Sequence, residues 1–193
     1  MLRRLYDWTL TLGPRRGGRW ALAGVAFTES SFFPIPPDIL LIPMVLGARN
    51  RAWQLAIITT LASVAGGAAG YAIGYFLYEF VGQPMIDLYG YEQEFERFTD
   101  LYERYGLAIV LIAGFTPLPY KVITIASGVA ALNLPMFIIA SLIARGARFF
   151  AVAGLLWWLG PAVRHVLERY FNLFSVVFVI LLIAGFVVIG WFI

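Results

Sequence analysis

Cysteine is absent from the 193 residues, which excludes disulfides, thiolate metal sites and cysteine nucleophiles. Charge is scarce as well: Asp, Glu, Lys and Arg make up 13% of the chain, about half the share of a soluble domain. Lysine occurs once, at Lys121, and histidine once, at His165. A lone histidine without companion ligands builds no metal site, and there is neither an aspartate-rich metal motif nor a Ser/His pair. A lipid-modifying membrane enzyme is therefore poorly supported, and neither cofactor nor metal is expected. What is abundant is apolar: 61% hydrophobic residues, 17% aromatic, and a mean hydropathy of +0.82. A span takes ~20 residues. The chain therefore reads as a single all-α integral membrane domain of about five or six membrane segments.

The few charges are unevenly placed. Arg3, Arg4, Arg15, Arg16 and Arg19 crowd the start against Asp7. No short apolar run with a small-residue cleavage site follows, so residues 1–19 read as a retained cytoplasmic segment drawn to anionic lipid heads. Residues 20–48 are apolar except for Glu29 and Asp38, and prolines at 34, 36 and 37 interrupt them. Residues 52–78 carry no charge and read as a spanning helix. Gly66, Gly70 and Gly74 lie four apart on one of its faces, a spacing for close helix packing. Residues 79–105 are acidic, with Phe95, Phe98, Leu101, Tyr102 and Tyr105 at helical spacing, as in an amphipathic helix on the membrane surface. Residues 106–133 are apolar again except for Lys121, and are broken at Pro117 and Pro119. Residues 135–159 form a spanning helix with Arg145 and Arg148 near its middle, and residues 170–193 a final uncharged span.

Proline removes an amide donor and clashes with the preceding helical turn. A bilayer tolerates such broken backbone only where protein or a water-filled cavity covers it. The two broken segments, 20–48 and 106–133, thus read as re-entrant hairpins in an inverted repeat, whose binding site lies near the midplane. Charge alone does not choose between re-entry and full crossing. Arg97 and Arg104 are left on the side opposite the N-terminus when both segments re-enter, and the same imbalance arises when both cross. The N-terminus is expected in the cytoplasm.

Five charges are then deep: Glu29, Asp38, Lys121, Arg145 and Arg148. Isolated charges in lipid are costly, so the five should converge. Fully ionised they sum to −2 + 3 = +1, which suits a phosphate. Arg145 and Arg148 offer forked donors and Lys121 a point charge. Half-helix N-termini after the prolines add positive dipole ends. An acid in such a site is also a candidate proton carrier. Plainer roles are static ion pairing for the acids and packing anchorage for the arginines. Arg49 and Arg51 read as interface anchors, and His165 as a surface residue.

The stretches Glu29-Ser-Ser-Phe-Phe-Pro-Ile-Pro-Pro-Asp38 and Gly114-Phe-Thr-Pro-Leu-Pro-Tyr-Lys121 resemble the signature of the DedA family, also called the VTT or SNARE-associated superfamily. The Pro-Leu-Pro-Tyr-Lys form is similar to its YqaA-like branch, and the likeness covers roughly residues 20–160. The resemblance implies facing re-entrant elements, proton dependence, and flippase or scramblase transport of a phospholipid or undecaprenyl phosphate in the bacterial inner membrane. It places Glu29 and Asp38 at the family's functional acids. The chain departs from the pattern at Lys121, which replaces an arginine, and at Gly114, where many members carry another. The expected partners are lipids with phosphate head groups, and protons are candidates. Nucleic acid is not expected, and a homodimer stays open. The alternative function is a proton-coupled transporter of a small ion or solute.

Overall fold

The computed structural model describes residues 16–33, 35–83, 86, 92–116 and 120–160, and every regular element among them is helical. In chain order these are α1 (Arg16–Ser31), α2 (Asp38–Gly47), α3 (Ala52–Leu77), α4 (Glu92–Phe115), α5 (Tyr120–Val129) and α6 (Leu134–Gly160). A 3₁₀ turn, Arg49–Arg51, leads into α3, and a π-turn, Tyr78–Gly82, follows it. The chain divides into two compact units, Met1–Trp157 and Trp158–Ile193; of the second, residues 158–160 alone are described. His165, the expected span at 170–193, and Pro34, Pro117 and Pro119 lie outside the described residues.

Two helices, Arg49–Leu77 with its 3₁₀ turn and Leu134–Gly160, are long and apolar enough to cross a membrane. Their outward faces keep large apolar side chains exposed, among them Ile57, Leu61 and Phe76 on α3 and Ile139, Ile143 and Leu155 on α6. So much exposed apolar surface suits lipid rather than water. By contrast α2 and α5 have ten residues each, ~15 Å of helix, about half the thickness of a hydrocarbon core.

Local chemistry explains where the helices stop and start. At the end of α1 the amides of Phe32 and Phe33 both turn back to the Thr28 carbonyl, at 2.9 and 2.7 Å. Pro36 and Pro37 have no amide to continue the ladder. Pro37 caps α2 instead, with φ −65°, and its carbonyl accepts from Leu40 and Leu41. Asp38 opens α2 and places its carboxylate at the positive end of the helix dipole. Ahead of α6, the Asn133 side chain accepts from the Met136 amide at 3.1 Å, an N-cap, and Pro135 falls in the first turn, where it costs no hydrogen bond.

The core is organised on the glycine face of α3, which holds α1 and α5. A Cβ placed on Gly66 would stand 2.1 Å from the Phe27 carbonyl oxygen of α1; one on Gly74 would stand 2.0 Å from that of Ile125 on α5. Gly128 of α5 meets the Tyr71 carbonyl equally closely, at 2.0 Å. Backbones touch here because no side chain separates them, as in small-residue membrane packing. Thr124 of α5 then donates to the Ser30 carbonyl of α1 at 3.0 Å, joining the two helices that share this face.

One expected boundary moves. The acidic segment 79–105 and the hairpin beginning at 106 do not part at that point, because α4 runs unbroken from Glu92 to Phe115. Gly106 is buried within the helix and does not end it; no proline occurs between Glu92 and Thr116. The first half of α4 is amphipathic as read from sequence. Phe95 stacks on Tyr78 at 4.7 Å, and Phe98 meets Tyr102 at 4.8 Å, while Glu96, Asp100 and Glu103 are exposed.

Candidate functional site

The last turn of α1 is pressed against α3, and this buries Glu29, Ser30 and Ser31. The Ser31 hydroxyl is shared between the carbonyls of Phe27 and Gly66, at 2.8 and 2.9 Å. Glu29 faces Arg145, which reaches in from the middle of α6. Arg145 Nη2 donates to Glu29 Oε2 at 2.7 Å, and Ser30 Oγ donates to the same oxygen at 3.1 Å. Arg145 Nε donates to Ser63 Oγ of α3 at 2.6 Å, and the two serine hydroxyls lie 2.7 Å apart. The guanidinium centre sits 4.8 Å from the Tyr120 ring and 4.6 Å from the Phe149 ring, within cation–π range of both. Tyr120 is itself pinned, donating its hydroxyl to Ser141 at 2.5 Å.

Arg145 is 0% exposed and Glu29 9%. A pair buried this far loses most of its Coulombic gain to desolvation, but breaking it strands a bare charge. It is tolerable here because Ser63, Ser30 and two ring faces supply what water would have supplied.

Three residues further along α6, Arg148 makes the second pair. Its Nη2 donates to Asp38 Oδ2 at 2.5 Å, and its Nη1 to the Thr116 carbonyl at 3.0 Å. Asp38 begins the helix after the first break, and Thr116 is the last described residue before the second. One guanidinium thus ties both breaks to α6. This pair is less enclosed than the first, its side chains 17% and 18% exposed. Asp38 Oδ1 and Arg145 Nη1 are buried and without hydrogen-bond partners among the described residues.

Of the five charges expected to converge, the structure joins four, as Glu29–Arg145 and Asp38–Arg148. Lys121 makes no ion pair among the described residues. It follows Tyr120 directly, is partly buried, and its carbonyl accepts from Thr124 at 2.9 Å. The paired charges cancel, −2 + 2 = 0, so Lys121 carries the surplus. Pro36 and Pro37 lie between α1 and α2. Arg49 caps the far end of α6 by donating to the Trp157 carbonyl. Beside it Trp53 packs on Phe150 and Trp157, at 6.0 and 6.2 Å, an aromatic cluster suited to a membrane interface.

Ser30, Ser63, Thr116, Tyr120 and Phe149 belong to the site but escaped the sequence reading. For Ser63 a signal exists: it lies three and seven residues before Gly66 and Gly70, on the same face of α3. For Phe149 there is none, since one aromatic residue in an apolar helix looks like any other. Among the described residues no three of His, Asp and Glu gather as metal ligands.

Comparison with known proteins agrees with this architecture. The model of the VTT domain matches residues 35–158. An uncharacterized protein of Haemophilus influenzae is 38% identical over 156 residues, 81% of each chain. An uncharacterized homologue from Histophilus somni is 36% identical over the same share. An uncharacterized protein of Methanocaldococcus jannaschii is 27% identical over 129 residues, 66% of this chain and 77% of its own. No solved structure matches. With a family match over more than half its length, on a helical frame carrying two apolar helices of membrane-crossing length, the chain belongs to the VTT-domain, or DedA, family.

Proposed function

We propose that this protein is a lipid transporter, a flippase or scramblase that moves a phosphate-bearing lipid, such as a phospholipid or undecaprenyl phosphate, across the bacterial inner membrane. It carries out no covalent chemistry. The observation that carries the reading is the paired cluster itself: two arginines, each held by one carboxylate, at the junction of two broken helices in an otherwise apolar body. A phosphate oxygen can take a carboxylate's place on a guanidinium fork, because both are anionic and both match its geometry. Lys121 adds the positive charge that the pairs lack. A carboxylate displaced from its arginine is the group through which lipid movement would couple to the proton gradient.

The order of long helix, proline break and ten-residue helix occurs twice, in α1–α2 and in α4–α5. This supports two re-entrant hairpins in an inverted repeat, around a groove that passes the head group while the tails stay in the bilayer. In that arrangement the N-terminus is cytoplasmic. Cysteines introduced at Gly17 and Asn50 in this cysteine-free chain are then labelled from the same side of the membrane; labelling from opposite sides rejects re-entry of the first segment.

Reconstitution tests the function. In vesicles containing labelled lipid, the protein transfers the label between leaflets. Ion or proton flux without lipid movement rejects lipid transport and establishes the alternative, a proton-coupled transporter of a small ion or solute.

A further inference from the structure

The donors of Arg145 can be accounted for edge by edge. A guanidinium carries five N–H groups and accepts nothing. Tyr120 and Phe149 cover its faces, Nε goes to Ser63 and Nη2 to Glu29. Nη1 is buried and has no acceptor among the described residues. Arg148 differs, with both terminal nitrogens engaged by Asp38 and Thr116. Leaving a buried cationic donor unmet is expensive. Nη1 is therefore a donor available to an anionic oxygen.

The serines determine which edge stays open. Ser63 Oγ accepts from Arg145 Nε, so its own hydrogen goes to Ser30 Oγ, 2.7 Å away. The Ser30 hydrogen then goes to Glu29 Oε2, which also receives Arg145 Nη2. The ring closes with each hydroxyl donating once and accepting once. Without the Ser63 hydroxyl, Nε loses its acceptor, Ser30 loses its donor, and the guanidinium plane is free to shift between the two rings.

The geometry points to Ser63 as a positioning residue, which holds Arg145 so that Nη2 keeps Glu29 while Nη1 is presented to an oxygen of the anionic head group. This rests on the transport reading above. The test uses Ser63→Thr and Ser63→Val, which match in shape and differ in the hydroxyl, each in full-length protein. Vesicles of phosphatidylethanolamine and phosphatidylglycerol carry a trace of acyl-NBD phosphatidylglycerol as probe. The threonine variant moves the probe at close to the wild-type rate, and the valine variant is slower by roughly ten-fold or more, the loss of one hydrogen bond to a charged group. Equal rates for the two variants overturn the inference.

An unfolding measurement decides the same point without transport. Beside Arg145, the valine variant melts about 2–4 °C or more below the threonine variant. In an Arg145→Lys background, where no Nε requires an acceptor, that gap shrinks to what the Ser63–Ser30 bond alone contributes. A gap of the same size in both backgrounds reduces Ser63 to a packing residue. If the wild type leaves the probe in place, the transport reading fails for that lipid and the unfolding comparison still decides the role of Ser63.

Discussion

Replacing Glu29 with leucine removes the carboxylate paired with Arg145, which is 0% exposed and bound to Glu29 Oε2 at 2.7 Å. Removing one member of a buried pair costs about 3–5 kcal/mol, because the survivor keeps its charge without solvent. Arg145→Met strands Glu29 in the same way, at a similar cost. If the two effects were independent, the double variant would lose about 6–10 kcal/mol, the sum of the two. The pair predicts otherwise. With both charges gone the site is apolar, and exchanging a buried ion pair for apolar residues of similar volume is often neutral or stabilising. Glu29→Leu/Arg145→Met should therefore unfold within about 2 kcal/mol of the wild type, less stable only by what the orphaned Ser30 and Ser63 hydroxyls cost. Equilibrium unfolding in mixed micelles, followed by far-ultraviolet circular dichroism, measures all four proteins. Additive losses, or a Glu29→Leu variant within about 1 kcal/mol of the wild type, would refute the reasoning.

Gly74→Val should abolish recovery of folded protein, since its Cβ would lie 2.0 Å from the Ile125 carbonyl oxygen and backbone must move; size-exclusion chromatography after extraction reads this out. Arg148→Lys keeps the charge but loses the fork that serves Asp38 and Thr116 together, and should lower unfolding stability by about 1–2 kcal/mol in the same micelle assay. Asn133→Ala removes the N-cap of α6 and should cost about 1 kcal/mol, with the helix content of the folded state unchanged by circular dichroism.

Much of this site was legible because charge in an apolar chain has few places to go. Glu29, Asp38, Arg145 and Arg148 stood out against long uncharged runs, and cost alone argued that they meet. Which acid takes which arginine was not legible, since that depends on the rotation of α6 against α1 and α2, which no local spacing encodes. Lys121 was expected within the same cluster, yet only its neighbour Tyr120 turns its side chain onto Arg145: successive helical residues point about 100° apart. The glycines of α3 announced close packing correctly, but not that α1 and α5 are the helices packed there. The join at residues 105–106 was misplaced because polarity changes there while the backbone does not. An acidic, amphipathic half and an apolar half make one helix when neither proline nor an unmet amide interrupts them.

Asp38→Asn addresses the central claim most directly, because the Asp38–Arg148 pair is partly open and the variant should fold. Reconstituted at equal density and with a melting curve near that of the wild type, it should leave labelled phospholipid in the leaflet where it started, while the wild type equilibrates the two leaflets. Wild-type rates of lipid transfer by the folded variant would contradict the account.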